Sequence, residues 1–362
     1  MKVMLAMSGG VDSSVAGALL LEQGHQVVGV TMKLWGGDSD TGCCSVSDVD
    51  DARRVAQQLD VDHLVFNFGD DFNEHVVNPY VQAHTMGITP NPCIECNRHV
   101  KFSRMLHRAD QLGFDAIATG HHARVERHDG RFRLVRGADA AKDQSYVVHM
   151  LDQDALSRTL FPVGDIDKTE VRRLAEAMGL RTAAKPDSQD VCFITSTGGR
   201  ETFLGHRIPF RRASVVDQTG EHLGDVDAVE LVTIGQRRGL GLPGGGPKRY
   251  VTDVDVEAGR VVVGDDDDLH DVAISVAAVS WVDEPVSGEV LVQCSAHGAP
   301  RAATISAATG SNAGDGTVDG TVEVTWAQPE RRIAPGQSVV FYDPSDRFVL
   351  GGGLAVSWNH AG

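Results

Sequence analysis

The sequence predicts an α/β protein in which a doubly wound parallel sheet is followed by a small mixed, β-rich central domain and a last domain built as a barrel or sandwich. Three observations predict it. Strand and helix patterns alternate over the first two hundred residues. From about Ile208 the helical period nearly vanishes, and short alternating segments spaced by Gly, Pro and Asp take over. More such strands follow from Val272 to Trp358. With 362 residues, 41% hydrophobic and 23% charged, the chain is long enough for two or three cores. The boundaries are expected at 1–205, 206–271 and 272–362.

The elements follow in chain order. Lys2–Met7 is an apolar strand that ends in a glycine turn, and Ser13–Gln23 places Val15, Leu19 and Leu20 at helical spacing before a stop at Gly24. Gln26–Trp35 is a second strand. Ser47–Leu59 is an amphipathic helix with Asp48, Asp50 and Asp51 in its first turn, where carboxylates suit the helix dipole. His63–Phe68 and Asp115–Thr119 are the next strands, with helices expected over Asp71–His84 and Phe102–Leu112. Beyond Ile208, strands are expected at Ala213–Asp217, Val229–Ile234, Tyr250–Asp255 and Arg260–Gly264, and Cys294 falls in another. Asp265–Asp268 reads as a solvated turn between domains and Ala307–Gly320 as a long loop.

Charge and composition exclude several functions. Fifty acidic against 33 basic residues give a net charge of −17, which argues against nonspecific coating of nucleic acid but leaves room for a local basic patch. Runs such as Val272–Val279 are far short of the roughly 20 apolar residues of a membrane span. The start, Met1-Lys2-Val3-Met4-Leu5, is broken at once by Ser8-Gly9-Gly10 and Asp12, so it reads as the first strand of a cytoplasmic protein. Six cysteines are too sparse for a secreted disulfide framework, which leaves metal ligands, reactive thiols or core fillers.

The most specific signal follows the first strand. Ser8-Gly9-Gly10-Val11-Asp12-Ser13-Ser14 offers close backbone approach, small hydroxyls and a helix N-terminus, the chemistry that cradles phosphate. It has no Lys, so it is not the Walker loop, and it lacks the three-glycine dinucleotide fingerprint. The string resembles the PP-loop of ATP pyrophosphatases, which split ATP between the α and β phosphates. Within that Rossmann-like superfamily the chain is similar to the tRNA-specific 2-thiouridylase family (MnmA/TrmU). The similarity runs through Met32–Trp35, Gly42-Cys43-Cys44-Ser45, Thr89–Pro92, Cys96-Asn97, Lys101-Phe102, Ala118–His121, Lys142–Tyr146, Ser188–Ile194 and Thr233–Leu240.

That resemblance implies a C-terminal β-barrel and an ATP-dependent enzyme that puts sulfur on C2 of the wobble uridine of tRNA. It implies ATP contacts at Ala6, Met7, Ser8, Gly9, Gly10, Val11, Asp12 and Ser13, with Met32 and Gly120. Asp12 then stands on the Mg2+ or pyrophosphate side. Contacts to tRNA are implied at Asn91, Pro92, Cys93, His121, Lys142, Asp143, Gln144 and Gln337; Arg237-Arg238 and Arg331-Arg332 read as phosphate contacts, with solvated surface an equal reading for the latter pair. Cys192 is implied to carry the persulfide sulfur, supplied by a cysteine desulfurase or relay protein, with Cys96 as its partner thiol and a Cys96–Cys192 disulfide as the outcome. Cys93 departs from members that carry Asp at the matching place. Three readings stay open for it: an inert substitution, a redox partner in the C-x-x-C pair with Cys96, or a ligand with Cys96 and Cys192 of an iron–sulfur cluster. Cys43 and Cys44 read as guards of the site or as filler. The rivals are another PP-loop adenylating synthetase and a regulatory module that binds ATP without turnover.

Overall fold

The computed structural model describes residues 1–34, 46–187, 191, 193–194, 198–243, 246–306, 317–318 and 320–356. In chain order the first strands are β1 (Lys2–Ala6), β2 (Gln26–Lys33), β3 (His63–Asn67), β4 (Ala116–Ala118), the pair β5 (Ala123–His128) and β6 (Arg131–Arg136), and β7 (Thr159–Leu160). The order β3-β2-β1-β4-β7 makes one fully parallel sheet. Alternate residues of β1 face opposite layers. Val3 and Leu5 join Val15 and Leu20 of helix Val11–Glu22, Ala52 and Val55 of helix Val46–Gln58, and Val171 of helix Lys168–Ala177. Met4 joins Phe72, Val76, Phe102 and Met105 from the helical stretches 69–85 and 92–111. Both faces are therefore covered, as a parallel sheet requires.

The chain runs outward from β1 through β2 to β3, then returns to lay β4 on the other side of β1. The crevice at the carboxyl ends of β1 and β4 is thus the switch point, where doubly wound sheets hold ligands. The 92–111 helix opens into wider turns over Cys96–Arg104, a distortion often found at functional sites.

The central sheet has strands β8 (Ala213–Asp217), β9 (His222–Val226), β10 (Tyr250–Asp255) and β11 (Arg260–Gly264) in the order β10-β11-β8-β9. The expected strand at Val229–Ile234 is instead a single 3-10 turn, Val229–Leu231. Its alternation comes from docking rather than pairing. The buried Glu230 takes Arg211 Nε at 2.8 Å, and the Glu230 carbonyl lies 3.1 Å from His84 Nδ1. Asp265–Asp268 turns on its own carboxylates between β11 and the next strand.

The last part contains β12 (His270–Trp281), β13 (Gly288–Gln293), β14 (Arg301–Ile305), β15 (Thr317–Val318), β16 (Val322–Arg331), β17 (Ser338–Tyr342) and β18 (Phe348–Ala355). The ring β12-β16-β14-β13-β17-β18 closes antiparallel through β12–β18, a six-stranded barrel. Its filling includes Ile274, Val276, Val292, Val324 and Phe341. Cys294 sits one residue past β13, and burial pushes its thiol up to about 12, so it is a filler. Most of the loop expected at 307–320 lies outside the described residues.

One feature went unread in the sequence. The β5–β6 hairpin leaves the first part of the chain and pairs β6 to β18, so the parallel-sheet region contributes two strands to the barrel's sheet. Its signal was present: Asp129-Gly130 between alternating segments is a hairpin turn pattern.

Candidate active site

A cavity of about 540 Å³ opens at the switch point. Its wall joins the loop after β1 (Met7, Ser8, Asp12, Ser13), the loop after β4 (Thr119–His122) and the 92–111 helix (Pro92, Cys93, Cys96, Asn97, Lys101). Lys142–Gln144, Lys168, Asp187 and, from the barrel, His297 complete it. Ala6, Met32 and Gly120 also line it. Gly9, Gly10 and Val11 shape the loop from behind rather than lining the wall.

The loop needs its glycines. Gly9 has φ +72°, and a Cβ there would stand 2.5 Å from the Asp48 carbonyl oxygen. At Gly120 a Cβ would stand 2.7 Å from the Ser13 nitrogen, so any side chain would push β4's loop off the helix start. Ser13 and Ser14 hydroxyls both donate to the Gly10 carbonyl, at 3.1 and 2.8 Å, and fix the turn.

Charge at this end is arranged as a chain. Lys168, the first residue of its helix behind the Asp167 cap, puts Nζ 2.7 Å from each Asp12 oxygen and 2.9 Å from Asp187. Asp187 also takes Lys142 and Arg172, each at 2.8 Å. His122 Nε2 is 3.1 Å from Asp12. Burial alone would raise the Asp12 carboxyl, but the hydrogen bonds from His122 and Lys168 outweigh it and hold it below its usual range. Asp187 is likewise held low: burial opposes it, but the bonds from Lys142 and Lys168 prevail. Lys168, Lys142 and Arg172 surround Asp12 and Asp187, with the Asp139 carboxylate also felt by Lys142, a setting ready to exchange carboxylate for phosphate partners.

The other end is largely apolar, with Lys101 near His121. Phe72, Val147, Tyr146 and Phe193 line it beside Cys93 and Cys96. Cys96 is 6% exposed, whereas Cys93 is partly exposed. Asn97 donates to the Val147 carbonyl at 2.7 Å, which leaves its buried Oδ1 without a partner. His121 lies against Phe102 and Phe161 and shares a 2.7 Å hydrogen bond with Thr119 Oγ1. Desolvation, with Lys101 nearby, pushes it down to about 3, so it is a neutral imidazole at any physiological pH.

The remaining candidates fall in different places. Asn91 caps the 92–111 helix by accepting from the Cys93 nitrogen at 3.1 Å. Gln144 accepts from the His122 nitrogen at 2.9 Å. Asp143 spends its carboxylate on Arg136 (2.7 Å), Ser145 (2.7 Å) and the Gly137 nitrogen (2.8 Å), which makes it an anchor for its loop. Gln337 is not in the wall; it donates to the Thr89 carbonyl across the seam between barrel and parallel-sheet region. Arg237 and Arg238 are exposed, while Arg331 pairs with Asp266 and Arg332 with Asp271. Cys192, Cys43 and Cys44 lie outside the described residues. Lys168, Asp187, His122 and His297 were not singled out by sequence, since nothing local marks them.

No three His, Cys, Asp or Glu side chains among the described residues are grouped to hold a metal ion. Nor is any helix among them long and apolar enough to cross a membrane.

Comparison with known proteins gives a consistent outline. Three family models match in succession: "tRNA methyl transferase HUP domain" over residues 1–196, "tRNA methyl transferase PRC-barrel domain" over 201–265, and "Aminomethyltransferase beta-barrel domain" over 273–355. The chain is 44% identical over 361 residues to the tRNA-specific 2-thiouridylase MnmA of Chloroflexus aurantiacus, covering 97% of each. The protein of that name from Corynebacterium kroppenstedtii is 44% identical over 365 residues (98% of this chain, 94% of the relative). That of Mycolicibacterium vanbaalenii is 45% identical over 366 residues (97% and 98%).

Proposed function

The chain belongs to the tRNA-specific 2-thiouridylase family, and we propose that it thiolates C2 of the wobble uridine of tRNA, with ATP as activator and a cysteine persulfide as sulfur source. The observation that carries this reading is that the phosphate loop and Cys96 face one cavity. A phosphate loop and thiols are what activation by ATP and sulfur transfer need, which favours the thiolation in the relatives' name over the methyl transfer in the domain names.

The wobble base leaves the anticodon stack to enter, at a cost of a few kcal/mol. Uracil O2 attacks the α-phosphorus of ATP on the Ser8–Ser13 loop. Pyrophosphate departs toward Lys168 and Lys142, which release Asp12 and Asp187 to take it. The terminal sulfur of a Cys192 persulfide then attacks C2, and AMP leaves with the former O2. Cys96 thiolate attacks the Cys192 sulfur, the base keeps the transferred sulfur, and a Cys96–Cys192 disulfide remains for an outside reductant. His121, neutral and hydrogen-bonded, positions the base without adding charge.

Asp12 is the residue that would hold Mg2+ beside the nucleotide. Lys168 holds both Asp12 oxygens until it turns to the phosphates, and the carboxylate it then releases would face a Mg2+ carried on the phosphates of the nucleotide. The persulfide comes from a cysteine desulfurase or relay protein of the cytoplasm. Pyrophosphate release measured with and without bulk tRNA tests the reading. We expect release only with tRNA. Release that ignores tRNA points to a small-molecule synthetase, and ATP binding without release to a regulatory module.

A further inference from the structure

We propose that Arg136 is a positioning residue of the active site. From behind the wall it ties the loop that carries Lys142 and Gln144 to the barrel loop that carries His297, so that the two sides of the cavity hold a bound base in register. The proposal rests on the thiolation reading above. What carries it is one guanidinium bonded toward both loops at once.

Arg136 ends β6, the strand by which the parallel-sheet region joins the barrel's sheet through β18. Directly after it, Gly137 passes the His122 carbonyl so closely that a Cβ would stand 2.5 Å from that oxygen. The chain then reaches the cavity wall at Lys142–Gln144, where the Gln144 nitrogen donates to the same His122 carbonyl at 2.8 Å. The Arg136 guanidinium is stacked on the buried Tyr342 ring, 3.7 Å from its centroid. Held there, Nη1 donates to Asp143 at 2.7 Å, Nε to Asp346 at 2.8 Å and Nη2 to Gln293 Oε1 at 3.0 Å. Three acceptors and a ring face suit a planar fork, which a lysine cannot supply.

Two of the acceptors pass the constraint on. Asp143 takes the Gly137 and Ser145 nitrogens at 2.8 and 3.1 Å and the Ser145 hydroxyl at 2.7 Å, which sets the turn between Lys142 and Gln144. Gln293, 4% exposed, donates from Nε2 to the Ser295 carbonyl at 2.9 Å and the Ala296 carbonyl at 3.3 Å. Its amide cannot be reversed, since that would set a donor against the guanidinium and an oxygen against two carbonyls. Ala296 and the next residue, His297, line the cavity. Arg136 does not line it, so its effect on a bound base goes through Asp143 and Gln293. The strut joins residues 157 apart in the sequence, and its slackening would let the two sides drift. A shift of about 1 Å in a positioned group can cost on the order of 10²-fold in rate.

Two variants of the full chain test this. Arg136→Lys keeps the charge and loses the fork. Gln293→Glu keeps an acceptor for Arg136 and loses the donor to Ser295 and Ala296. Pyrophosphate release is measured with ATP and bulk tRNA, each varied to saturation, with the urea midpoint measured alongside. We expect kcat to fall by more than about tenfold in each variant while the KM for ATP stays within about twofold. The double variant should lose no more than the worse single one, because both cut the same link. A lower urea midpoint with kcat intact would make Arg136 a prop of the fold alone and overturn the proposal. A rise in the KM for tRNA with kcat intact would overturn it as well, since the loops would then only bind RNA. If Arg136→Lys does not fold, Gln293→Glu decides by the same criteria. Each of these outcomes leaves the thiolation reading standing. Absence of tRNA-dependent release from the wild type overturns that reading and this proposal together.

Discussion

The two ends of the cavity solve opposite problems. At the phosphate end every charge that lines the wall has a charged neighbour: Lys168 bridges Asp12 and Asp187, and Lys142 and Arg172 share the latter. At the thiol end the wall is Phe72, Phe193, Tyr146 and Pro92 around the cysteines, with Lys101 near a His121 that burial keeps neutral. The difference follows from the chemistry. Phosphate is held by exchanging one set of ion pairs for another, so the receiving cations must be kept charged and in place. A persulfide attack on an activated base instead needs a surface where water does not compete for the carbon.

The contrast predicts separable defects. The largest is expected for Cys96→Ser, which removes the thiol end's nucleophile and leaves the ion-pair chain untouched. 2-Thiouridine in tRNA should fall below detection by mass spectrometry, while ATP affinity stays within about twofold. Normal thiolation in that variant would erase the proposed division. Lys168→Ala is next. Loss of the bridging cation should slow pyrophosphate release on the order of 10²–10³-fold, as for other single transition-state donors, with tRNA affinity little changed. A fall in tRNA affinity with release intact would mean that the charged end serves RNA instead.

The smallest effect is one of stability beside the thiol end. His149 is 1% exposed, donates from Nδ1 to the Tyr146 carbonyl at 2.9 Å, and is pushed down to about 4 by burial, with Arg98 adding to it. Its folded pKa lies below the unfolded value near 6.5, so the unfolded chain binds the extra proton. The stability from the neutral ring is full above that value and is lost as pH falls toward 4. The loss is roughly 1 kcal/mol per pH unit. Urea midpoints from pH 7.5 to 5 should drop more steeply for the wild type than for His149→Gln; equal slopes would remove His149 from the account.

The sequence carried unequal parts of this picture. The phosphate loop was legible because its glycines, serines and Asp12 are contiguous and their physics is local. Cys96 and Cys93 were legible as a pair for the same reason. Lys168 and Asp187 were not, because Lys168 reaches Asp12, and Asp187 reaches Lys168, only through the return from β3 to β4 and the packing of a later helix. Val229–Ile234 misled because an alternating pattern records burial, and burial there comes from docking against His84 rather than from a sheet. The β5–β6 hairpin carried its turn signal but lay inside a run of strand and helix alternation that suggested a different partner.

The central claim is that the uracil oxygen is activated at one end of the cavity and replaced by sulfur from the other. It is tested most directly by tRNA carrying ¹⁸O at O2 of the wobble uridine. In a single turnover with ATP and persulfide-loaded enzyme, mass spectrometry of the released AMP is expected to find the label in its phosphate, one label for each 2-thiouridine formed. Unlabelled AMP beside normal 2-thiouridine would show that the oxygen never met the phosphate end, and would contradict the account.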